Sequence, residues 1–99
     1  IPTKVAQLMV QMEDFTTHHT AEYGSLLTQP ANLGILLNWA VQARSLVRED
    51  DISWQKALNR ALTTTVIPFV CPRLSNGRLE APAVEMVCQH LESLVKKWL

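Results

Sequence analysis

The sequence predicts an all-α fold: a compact bundle of about four to five helices with a central helix at 30–48. Three observations lead there. Apolar residues recur at three- and four-residue spacing along most of the chain. Three of the five prolines stand just ahead of such runs, where a helix tolerates proline because its first N–H groups have no intrahelical partner. Only Thr63 to Ile67 is β-branched enough to rival as a strand, and no second strand is at hand to complete a ladder.

The first helix follows Pro2, with Val5, Leu8, Met9, Met12 and Phe15 on one face. It is expected to end near Asp14 to Thr17, because Thr16, Thr17, His18, His19 and Thr20 are mediocre helix formers and Gly24 weakens the next stretch of chain. A short helical turn carrying Tyr23, Leu26 and Leu27 should come next, a single longer helix to Leu27 being the alternative.

Pro30 is expected to open the second helix, and the acidic Glu49, Asp50 and Asp51 to end it. Its apolar residues cover more than one side. Leu33, Leu36, Leu37, Ala40 and Val47 make one stripe, while Ile35, Trp39, Ala43 and Leu46 make a second beside it. Such a helix either runs through the middle of the bundle or keeps one side for a partner.

Asp51 or Ser53 can accept from the first N–H groups of a third helix carrying Trp54, Ala57, Leu58, Ala61, Leu62 and Thr65. The junction is short, so the two helices should form an antiparallel hairpin. β-Branched Thr65, Val66 and Ile67 ahead of Pro68 should end the third helix before Ile67. An irregular buried segment with Phe69, Val70 and Cys71 then leads to a loop at Pro72 and a turn at Asn76-Gly77. Pro82 opens the last helix, whose Val84, Val87, Cys88, Leu91, Leu94, Val95 and Trp98 share one face. That helix is expected to pack lengthwise on the second.

At 99 residues and 47% hydrophobic composition, residues 1–99 should form a single domain with its own core. Ile1 and the lack of a signal-peptide pattern suggest a domain of a larger protein. Nine basic residues balance nine acidic ones, so no net field draws in nucleic acid or an anionic membrane. The longest near-apolar run, Leu33 to Val41, is broken by Asn38 and falls far short of the ~20 residues of a membrane span. Cys71 and Cys88 could form one disulfide, but they read rather as free buried thiols, which points to an intracellular protein.

No catalytic pattern emerges, so an enzyme is not expected. His18, His19 and Glu22 form the one cluster of potential metal ligands, but Cys71, Cys88 and His90 do not complete a known closed-site spacing. Cys88 and His90, two apart on a helix, diverge and cannot act as nucleophile and base. The three glycines are not clustered as a nucleotide loop requires. No cofactor is expected.

Two functions remain. The preferred one is a non-catalytic protein-interaction domain, an adaptor that holds a partner helix or peptide, or a second copy, in an apolar groove outlined by Ile35, Trp39, Ala43, Leu46 and Trp98. The alternative is a nucleic-acid-binding helical domain in which a hairpin brings Arg44, Arg48, Lys56 and Arg60 to one side.

Overall fold

The computed structural model describes residues 2–21, 27–71 and 73–99, with the side chains of all of these except 19–21 and 83. Five helices occur in order: α1 (Thr3–Ala21), α2 (Leu33–Asp50), α3 (Trp54–Thr65), α4 (Ile67–Val70) and α5 (Ala81–Trp98). The all-α bundle predicted from the sequence is what forms. Among the described residues the sole extended pairing is one antiparallel bridge between Arg73 and Leu79.

Helix α1 runs past its expected end. Val5, Leu8, Met12 and Thr16 succeed one another at three- and four-residue spacing, and all four are buried. Thr16 is tolerated inside because its hydroxyl donates to Met12 O at 2.8 Å and accepts the Ala31 N–H at 2.9 Å. Packing and satisfied polar atoms override its weak intrinsic preference. Leu27 is buried and is not itself helical, and the residues between Ala21 and Leu27, on which the longer-helix alternative turns, lie outside the described residues. Tyr23 and Leu26, expected in a short turn, lie outside the described residues.

The segment before α2 is tied down at both sides. Thr28 donates its backbone N–H to Val70 O at 2.9 Å, and the Gln29 side-chain amide donates to Phe69 O. These carbonyls end α4, where a helix has acceptors that no internal N–H can reach. Helix α2 then starts at Leu33 rather than Pro30, because Asn32 caps it: its side-chain oxygen accepts the Ile35 N–H at 3.0 Å. Asp51 ends α2 in the left-handed conformation (φ 51°, ψ 45°), which short polar side chains tolerate best after glycine.

Of the two caps considered for α3, Ser53 is the one used, accepting from Lys56 N at 3.2 Å. With only Asp51, Ile52 and Ser53 between them, α2 and α3 form the most extensively packed helix pair among the described residues. The Trp39 indole crosses that pair and donates to Leu58 O at 2.9 Å. Beyond Thr65 the chain makes the short helix α4, not an irregular segment, since Pro68 falls in its first turn, where no N–H is missed. Ile67 and Val70 are buried there, and Phe69 is half exposed. Gly77, at φ 84°, closes the predicted turn, which Asn76 supports by accepting the Arg78 N–H.

Helix α5 buries Val87, Leu91 and Val95, with Val84, Cys88, Leu94 and Trp98 packed beside them, as the periodicity requires. It does not lie along α2. It packs on α1 and α3, because the short α2–α3 junction has already given the inward face of α2 to α3. The radius of gyration is 13.1 Å, the value of ~13 Å expected for a compact chain of this length.

Two substitutions test this core by urea unfolding. Trp39→Ala removes the largest fully buried side chain and should destabilise the domain by about 3–5 kcal/mol. A loss under about 1 kcal/mol would mean the indole is not part of the core. Thr16→Val keeps the shape but leaves the Ala31 N–H unpaired, which should cost about 1–3 kcal/mol, whereas Thr16→Ser should cost less.

Candidate functional site

The residues expected to outline a partner groove do not form one. Trp39 and Ala43 are fully buried, and Ile35 and Leu46 are half-buried against the same core. Trp98 is half-buried in the last turn of α5, with the Lys97 ammonium 6.0 Å from its ring centroid. The second stripe of α2 is therefore mostly its inward face. The reason is chemical: a buried indole needs an acceptor, and Leu58 O on α3 supplies one.

What α2 leaves outside is Leu33 and Leu37 of the first stripe together with Val41, which neither stripe included. Leu33, Leu37 and Val41 are 61%, 43% and 42% exposed, while Leu36 and Ala40 turn inward. At 100° per residue, Leu33, Leu37, Val41, Arg44 and Arg48 fall within an arc of about 80°. All five are exposed. The result is an apolar ridge continued by two guanidinium groups at its C-terminal end. The signal was present in the spacing, since Val41 stands four residues after Leu37. It was hidden because two stripes on one helix do not reveal which of them faces in.

The four basic residues are not brought to one side. Arg60 pairs with Asp50 at 3.6 Å, across the junction of α2 and α3. Trp39 marks the α3-facing side of α2, and Arg44 lies about 140° around the helix from it. Arg44 and Arg48 thus belong to the flank carrying the apolar ridge, while Lys56 and Arg60 are on α3. The nucleic-acid expectation loses its composite patch.

Among the described residues no group of three His, Cys, Asp or Glu side chains could hold a metal. His18 is exposed, while Glu22 and the His19 side chain lie outside the described residues. The His90 ring packs near Phe15, with centroids 5.8 Å apart. No helix among the described residues is long and apolar enough to cross a membrane.

An open depression of about 510 Å³ is lined by Thr28, Gln29, Pro68, Phe69, Cys71 and Arg73. Its polar side chains are already engaged within the chain: Thr28 and Gln29 bond the α4 carbonyls, and Arg73 bonds Pro68 O and Gly77 O. A smaller groove, of about 360 Å³, between α3 and α5 is lined by Gln55, Asn59, Gln89, Glu92, Ser93 and Lys96, with Asn59 Oδ1 buried and unpaired. Neither concentrates reactive groups.

Both cysteines are free. Burial, reinforced by the neighbouring Cys88, raises the Cys71 thiol from its ordinary 9.0 to about 11. Burial and then Glu92 raise Cys88 as well. At neutral pH both are thiols, which are weak nucleophiles.

The Cys71 shift carries a pH prediction. Above pH 9.0 an unfolded chain loses the Cys71 proton, whereas the folded chain keeps it up to about pH 11. Its contribution to stability is complete below pH 9.0 and declines as pH rises toward 11. The urea midpoint should fall across that window, and Cys71→Ala should flatten the fall. An equal slope in the variant would show that other groups cause it.

No family model, no curated protein and no solved structure matches this chain.

Proposed function

We propose that this domain is a non-catalytic protein-interaction module, an adaptor that docks a helix of a partner protein along α2. The observation that carries this reading is the ridge of Leu33, Leu37 and Val41, exposed on a helix whose other apolar side chains are packed away. Large apolar side chains one turn apart are how a helix presents itself to another helix. Full burial of a Leu or Val side chain is worth about 1.5–3 kcal/mol, so covering three of them is a substantial driving force for association. Exposed singly, such residues need no explanation; in a row over more than two turns they form a patch. The two free thiols, one buried, support a reducing, intracellular setting.

Helical peptide display against the immobilised chain tests the reading. The native domain should enrich amphipathic helices. Leu37→Glu, which places a charge in the middle of the ridge, should lower that enrichment by about tenfold or more while the thermal midpoint stays near the native value. Equal enrichment by both proteins would remove α2 as the docking face.

A further inference from the structure

The ridge has a direction. Its apolar part spans ~12 Å from Leu33 to Val41, and its cationic part, Arg44 and Arg48, extends over the next ~10 Å along the same arc. Among the described residues neither guanidinium has an ion pair. Of the acidic residues close by in sequence, Asp50 is paired with Arg60 toward α3, and Glu49 lies about 100° around α2 from Arg48. Asp51 sits beyond the helix end. A helix laid on the ridge therefore meets three apolar side chains and then two uncompensated cations.

Arginine accepts a carboxylate in a two-point, planar contact, and carboxylates are favoured in the first turns of a helix by its dipole. Both preferences are met when the N-terminal turns of the incoming helix lie beside the C-terminal end of α2. We propose that the α2 ridge takes an acidic amphipathic helix, antiparallel to α2, whose N-terminal carboxylates pair with Arg44 and Arg48. This rests on the docking face assigned above and names the chemistry of its occupant. The α1 helix of a second copy is a poorer match. The exposed face of α1 offers one large apolar side chain, Val10, and places Glu13 and Asp14 after it, the reverse order.

Three designed peptides of about five helical turns decide the matter by calorimetry against the full chain. Each carries leucines at i, i+4 and i+8. The first has glutamates in its opening turns, the second has lysines there, and the third has the glutamates at its end. The first should bind about 5- to 10-fold more tightly than the others, with the advantage shrinking as salt rises. The double variant Arg44→Glu, Arg48→Glu should reverse the preference between the first two peptides and leave the helical circular dichroism unchanged.

Equal affinity for glutamate and lysine peptides, all lost in Leu37→Glu, would overturn the acidic partner and leave the docking face standing. Tighter binding of the third peptide would overturn the antiparallel direction. If no peptide distinguishes the native chain from Leu37→Glu, both the occupant and the face are wrong. Sedimentation showing a native dimer that Leu37→Glu dissolves would assign the ridge to a second copy and overturn the acidic helix. Retention of duplex DNA that requires Arg44 and Arg48 but not Leu37 would assign the cations to phosphate and overturn the helix partner.

Discussion

The orientation of α2 depends on one buried hydrogen bond, the Trp39 indole donating to Leu58 O at 2.9 Å. An indole has too much apolar surface to leave in water and one N–H that must be satisfied when buried. The α2–α3 hairpin answers both needs, because Ser53 starts α3 close enough to bring Leu58 opposite Trp39. Once Trp39 points inward, Leu36, Ala40 and Ala43 turn with it and the opposite register of α2 is excluded. Leu33, Leu37 and Val41 are outside as a geometric consequence.

A second tie holds the helices that the hairpin does not. Thr16, buried on α1, receives the Ala31 N–H, while Thr28 and Gln29 reach the last carbonyls of α4. The segment before α2 thus fastens α1 on one side and α4 on the other, and Leu27 and Ala31 in it are buried. Backbone groups that would be left unpaired at a helix end are instead joined across the fold. Helix α5 closes the remaining apolar faces of α1 and α3, with Val87, Leu91 and Val95.

These constraints shape the candidate surface. A partner helix on α2 would not disturb the core, since the bond that orients α2 lies on the side facing α3. The chemistry of the ridge changes along its length, from alkyl groups to guanidinium groups. The thiols take no part in it: Cys71 is buried just after α4, and Cys88, on α5, packs against the core.

Much of the architecture was legible in the residues. The apolar spacing of α1, α3 and α5, a cap for α3 at Asp51 or Ser53, the acidic end of α2 and the Asn76-Gly77 turn depend on neighbours within one or two turns of chain, which a sequence displays directly. Contacts between distant positions were not. Nothing near Thr16 announces that Ala31 will hydrogen-bond it, and so α1 looked shorter than it is. Two adjacent apolar stripes on α2 were plain, but choosing the inward one required Leu58 O, nineteen residues from Trp39. The sequence by itself determined an all-α domain and an α2 with more apolar surface than one contact can hide. Only the tertiary structure decided that Trp39 and Ala43 are core while Leu33, Leu37 and Val41 face solvent beside Arg44 and Arg48, because a helix is rotated by what packs against it and not by its own pattern.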